Sequence, residues 1–209
     1  MTAFKRSLHR PLNRRRLAVA GAVAAGALLL AACGDGDSAS SPASSTQAIA
    51  PVSAGAFNDA DVTFAQGMIP HHQQALEMAG LADGRAEDQE IKTLAGQIEK
   101  AQDPEITTLR SWLTAWGKPE SPAAGHGGGH GGMPGMMSEQ EMKDLTAAKG
   151  KDFDRKFAQL MVAHHNGAVE MAKTELKDGS NADAKKLADA IIKAQSAEIT
   201  QLQSILNRL

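Results

Sequence analysis

From residue 58 to the C-terminus the apolar positions recur every three or four residues, the period of one face of an α-helix. Phe64, Met68, His71, Ala75 and Met78 mark one stripe, with Asn58 or Asp59 placed to cap its start and Gly84 to end it. A second stripe, Ile91, Leu94, Ile98, Gln102, Glu105, Leu109 and Trp112, predicts a helix over residues 87–116. The same design returns later, with a third helix over 152–177 and a fourth that Asn181 can cap and that runs to the end of the chain. Before the third helix, Ser138-Glu-Gln-Glu141 is a capping-box pattern and predicts a short helix ending near Gly150. Pro70 falls inside the first stripe, where it deletes a backbone donor and kinks the helix beside two histidines; Ala163 in the later copy deletes none.

The return is an internal duplication. Phe64, Met68, His71, His72, Glu77 and Met78 recur as Phe157, Met161, His164, His165, Glu170 and Met171 at an offset of 93 residues. The offset holds without a gap to Leu113 and Leu206, with about 25 identities over 56 aligned positions. One helical hairpin cannot bury its apolar stripe alone. Two of the same pattern therefore predict an all-α fold, a four-helix bundle with pseudo-twofold symmetry. The hairpins occupy residues 57–117 and 138–209, the second with the short helix in front, and form one domain.

The first 32 residues carry Lys5, Arg6, Arg10, Arg14, Arg15 and Arg16 and no acid, followed by an apolar run over 17–30 that is short for a membrane span of roughly 20 residues. This is the layout of a signal peptide. Its end, Leu30-Ala31-Ala32-Cys33, resembles the lipobox of bacterial lipoproteins, which predicts lipid attachment at Cys33, the only cysteine. Residues 33–56, rich in Ser, Ala, Gly and Asp, then read as a disordered tether holding the domain off the outer face of a membrane. The arginine triplet leaves general and twin-arginine export both open.

Removing the signal takes six of the 22 Lys and Arg, leaving 16 against 24 acids, a net charge of about −8 that disfavours nucleic acid as a partner. With Cys33 lipidated there is no thiol either. The soft donors that remain are imidazoles and Met thioethers, the set suited to copper, above all Cu(I).

Met68, His71 and Met78 share a face, as do Met161, His164 and Met171, and each Met reads as a ligand or as core packing. Neighbours on a helix differ by about 100°, so His72 and His165 take a different role: ligands at the bundle end, or donors behind the ligands. Gln102 and Glu105, like Gln195 and Glu198, interrupt an apolar face. They are either partners of the inward histidines or half-exposed rim residues. Glu77 and Glu170 lie off the stripe. The linker, residues 118–137, is a flexible Gly-rich tract whose His126, His130, Met133, Met136 and Met137 are five further candidate ligands, expected to bind metal separately from the bundle.

The two Met-x2-His-His-x5-Met helices, with Gln102, Glu105, Ile106 and Gln195, Glu198, Ile199 behind them, resemble the bacterial "domain of unknown function 305" family over roughly residues 58–206. The resemblance implies a ferritin-like four-helix bundle in secreted or anchored proteins, some associated with extracytoplasmic copper. Three functions compete. One is an exported lipoprotein, not an enzyme, that binds copper for buffering, resistance or transfer, as a homo-oligomer or with a transfer partner. The second is a metal-free structural or adaptor lipoprotein. The third, a ferritin-like oxidoreductase, needs Glu-x2-His pairs, and no Glu here is followed by His three residues on.

Overall fold

A computed structural model of the chain describes residues 55–122 and 132–209. Among them are five helices and no strand: α1 (Asp59–Gly80), α2 (Gln89–Ala115), α3 (Glu139–Ala147), α4 (Gly150–Asp178) and α5 (Ala182–Arg208). The caps explain the starts. The side chains of Asn58, Asp88, Ser138 and Asn181 accept from the first free N–H groups of α1, α2, α3 and α5, and Asn58 and Ser138 complete capping boxes with Asp61 and Glu141. α4 lacks such a cap. α1 stops at Gly80, four residues before the predicted Gly84, which instead takes φ +72° in the connecting turn. α1 continues through Pro70 and α2 through Pro104.

α1 packs on α2 and α4 on α5, and the two hairpins join mainly through α1 and α4; α2 and α5 touch only lightly. Asp61, at the start of α1, accepts from the backbone N–H groups of Ser180 (3.1 Å) and Asn181 (2.9 Å) just beyond the end of α4. Its duplicate Asp154, at the start of α4, accepts from Glu87 (3.1 Å) and Asp88 (2.9 Å) at the end of the turn between α1 and α2. α1 and α4 therefore run antiparallel, and each copy braces the turn of the other with a fully buried carboxylate. Two apolar clusters flank the crossing. One contains Met78, Ile98, Phe157, Met161 and Leu202, the other Phe64, Met68, Leu109, Ala168 and Ile191. The histidine pairs lie between them in sequence on both helices.

The braces are not equivalent. Beside Asp61 the second copy places Glu175, where the first copy has Ala82. Burial pushes the Asp61 carboxyl up, but hydrogen bonds from Asn58, Asn181, Glu175 and Ser180 outweigh it and leave the group below the usual range. Glu175 is pushed up to about 8, by burial first and then by Asp61, although neither Glu175 oxygen makes a well-formed hydrogen bond. A folded protein that holds this proton more tightly than the unfolded chain loses stability as pH rises from about 4.5 to about 8. Glu175→Gln is expected to flatten that decline, matching the wild type near pH 4.5 and exceeding it at pH 8 by about 1–3 kcal/mol, read as urea midpoints against pH.

Candidate metal centre

His71, His72, His164 and His165 are all fully buried. The antiparallel crossing sets the rings of His71 and His164 against each other, with centroids 3.9 Å apart and planes tilted by 43°. The His164 and His165 rings are 6.3 Å apart. The pseudo-twofold axis thus passes between two copies of the same side chain.

Three of the four rings have a neighbour at Nε2. His71 Nε2 lies 3.1 Å from the carbonyl of Pro134, which can only accept, so the proton sits on Nε2 and Nδ1 keeps its lone pair. His72 Nε2 is 2.7 Å from Glu105 Oε2, and His165 Nε2 is 2.7 Å from Glu198 Oε2, the second contact less well aligned than the first. His164 has neither nitrogen in a well-formed hydrogen bond, its polar neighbour being the backbone of His71. All four Nδ1 atoms are buried without a hydrogen-bond partner. Stranded polar atoms of this kind are uncommon in protein cores, and an imidazole whose far nitrogen is held by a carboxylate or carbonyl is the arrangement of a metal-binding histidine.

Burial pushes His71 down to about 4, with the charge of His72 adding and the Pro134 hydrogen bond opposing. His164 is held well below its ordinary value, by burial and then by the charges of His71, His165 and His72, with a backbone contact from His71 opposing. Both rings are neutral near pH 7, the form that binds metal.

The pairing corrects one expectation. The inward carboxylates serve His72 and His165, not His71 and His164. The rotation of about 100° between neighbours aims His72 at α2 and His165 at α5, inside their own hairpins, while His71 and His164 face across to the other copy. Glu105 and Glu198 stay 21% and 16% exposed, so they are at once rim residues and histidine partners. Gln102 and Gln195 are buried, with both amide atoms of Gln102 and Oε1 of Gln195 unpartnered. Glu77 and Glu170 are exposed.

Met68, Met78 and Met161 are fully buried in the apolar clusters, and Met171 is half-buried at the edge of one. Among the described residues no three His, Cys, Asp or Glu side chains already converge as a ligand set.

The linker also departs from expectation. Cys33, His126 and His130 lie outside the described residues, but residues 132–137 are packed on the bundle instead of hanging free. Pro134 reaches His71, the Gln74 amide bonds both the N–H (2.7 Å) and C=O (2.9 Å) of Met137, and the Met137 side chain is buried in the core. Met133 and Met136 are half-buried. The physical reason is local complementarity: Gln74 supplies a backbone-like donor and acceptor, and Gly167 at the duplicate position has no side chain to keep the Pro134 carbonyl away.

The model of the family described as Domain of unknown function (DUF305) matches residues 61–206. The chain belongs to that family. A DUF305 protein of Streptomyces coelicolor, described as secreted, is 34% identical, with a TM-score of 0.66 over 71% of this chain and 93% of its own. CopM in its Cu(II)-bound form is 38% identical, with a TM-score of 0.61 over 71% of this chain and 96% of its own. CopM in its Cu(I)-bound form gives 34% and 0.60 over the same shares, and Ag-bound forms of CopM match as well. Comparison with curated proteins finds no match. No described helix of this DUF305 chain is long and apolar enough to cross a membrane.

Sequence reasoning passed over Asp61, Asp154, Gln74, Pro134 and Gly167. For the two aspartates the signal was their identity in the duplication; for Gln74 and Gly167 it was a mismatch inside otherwise matched helices.

Proposed function

We propose that this DUF305 protein is an exported copper-binding protein, taking Cu(I) at the histidine crossing and serving buffering, resistance or transfer without turning over a substrate. The observation that carries the reading is the set of four buried Nδ1 atoms without a hydrogen-bond partner, two of them on neutral rings face to face at the seam between the duplicated halves. Metal-free, those atoms are a standing cost to stability; as ligands they have a purpose. His71 and His164 would bind directly. His72 and His165, backed by Glu105 and Glu198, would bind beside them or tune them. Sulfur from Met68 or Met161, three residues before the first histidine of each copy, would complete a low-coordinate soft site.

The copper- and silver-bound forms of CopM support this choice of metal. Cys33 would carry the lipid that fixes the protein to the outer face of a membrane. The adaptor reading draws on the same buried rings, since Glu105 and Glu198 satisfy two of them without metal. Retention of Cu(I) by the purified protein against a competing chelator, with and without His71 and His164, separates the two.

A further inference from the structure

We propose that the cleft between the start of α1 and the end of α4 binds a small organic cation, an ammonium group on an aryl or short alkyl body, with Glu175 as its counter-charge. The site lies about two helical turns from the histidine crossing along both helices and does not depend on the copper reading.

The cleft holds about 390 Å³, near the lower end of small-ligand pockets, which run from roughly 300 to 1,000 Å³. Phe64 and Glu175, both buried, and the half-buried Met171 give it an apolar floor with one carboxyl group. Asp59 and Asp178 stand exposed at its rim. Among the described residues no Lys, Arg or His lines it. Lys177 lies 3.6 Å from Asp178, both of them exposed, and Lys185 on α5 acts on Glu175 from outside the lining.

Glu175 is the group that lacks a partner. It is 1% exposed, and neither of its oxygens makes a well-formed hydrogen bond. Its neighbour Asp61 is already committed to the backbone N–H groups of Asn58, Ser180 and Asn181. A Cβ on Gly179 would fall 2.1 Å from Glu175 Oε1, so a glycine after α4 is what makes room for this carboxyl. A buried acid without a base is costly in either protonation state, and a ligand that brings a positive charge supplies what the fold omits.

The duplication provides a control. Phe153 stands at the place of Ala60 and stacks on Phe157, with centroids 5.7 Å apart, whereas Ala60 leaves the corresponding approach to Phe64 open to the cleft. Around it, Lys156, Ala82 and Arg85 take the places of Thr63, Glu175 and Asp178. One end of the bundle is filled and flanked by bases; the other is hollow and acidic. An aryl or alkyl body would cover Phe64 and Met171 while its ammonium meets the carboxyl.

The test titrates the whole protein, carrying methyl-13C methionine, with phenethylammonium, with phenethyl alcohol as its neutral counterpart and with hydrocinnamate as its anionic one. The Met171 methyl is expected to respond to the ammonium with an affinity about fivefold or more above that for the alcohol, and not to the anion. Because Glu175 keeps its proton up to about 8, binding that draws on its charge should tighten by about fivefold or more from about pH 6 to about pH 8, a range in which an alkylammonium stays charged. Glu175→Gln should remove that dependence. Ala60→Phe, which installs the residue of the second copy, should abolish the Met171 response while the circular dichroism stays helical. Should that variant not fold, Thr63→Lys at an exposed position should weaken the ammonium by about fivefold and leave the alcohol unchanged. Equal binding of ammonium and alcohol, silence of Met171 in the wild type, an undiminished response in folded Ala60→Phe or Thr63→Lys, or a pH dependence that survives Glu175→Gln would overturn the site.

Discussion

Exchanging His71 and His164 together for leucine is expected to stabilise the metal-free protein and to remove most of the melting shift that copper produces. His71 Nδ1 and the His164 nitrogens are buried without well-formed hydrogen bonds, at a desolvation cost that leucine does not incur. The bond to the Pro134 carbonyl and the weak contact of His164 with the His71 backbone are lost in return. The expected apo gain is about 1–3 kcal/mol. Against it, Cu(I) at a free concentration a hundredfold above its dissociation constant adds about 2.7 kcal/mol to a protein that binds it only when folded, and the double variant should forgo most of that. The pH dependence has a definite sign. His71 folded titrates at about 4 against an ordinary 6.5, so the unfolded chain binds the extra proton and wild-type stability falls as pH drops through that window. The double variant should lose this part of the acid sensitivity. Thermal melts of both proteins with and without Cu(I), at pH 7 and pH 5, report all three effects.

The neighbouring pair should behave in the opposite way. His72→Leu or His165→Leu removes the partner held 2.7 Å from Glu105 or Glu198 and is expected to destabilise the metal-free protein by about 1–3 kcal/mol per site at pH 7. The loss stays in that range because each carboxylate is partly exposed and recovers water. Glu105→Gln keeps an acceptor for His72 and should cost less than 1 kcal/mol. Urea denaturation of the three variants distinguishes a pair that holds the fold from a pair kept for a ligand.

These contrasts trace what the chain discloses on its own. The hairpins were legible because helical period, N-caps and duplication are local or repeating signals: Asn58, Ser138 and Asn181 cap where their side-chain chemistry says they should. The importance of the His pairs was legible too. Which member faces which neighbour was not, since adjacent helical positions both lie near the stripe and one residue of phase decides between the other hairpin and its own. Asp61 and Asp154 look like surface acids of a first helical turn; their partners are backbone groups about 120 and 67 residues away, visible only once the hairpins cross. The linker misled for a related reason. Glycine and histidine content speaks for freedom, but the docking of Pro134 and Met137 depends on Gln74 and Gly167, a pair that differs where the helices otherwise match.

The most direct measurement is Cu(I) retention. The protein from Gly34 onward, loaded under reducing conditions and dialysed against a competing Cu(I) chelator, is compared with His71→Leu/His164→Leu and with a variant lacking Met133, Met136 and Met137. Copper retained by the wild type and by the methionine variant, and lost by the histidine variant, is the predicted result. Equal retention by the wild type and the histidine double variant, or no retention by either, would contradict the assignment of copper to the histidine crossing.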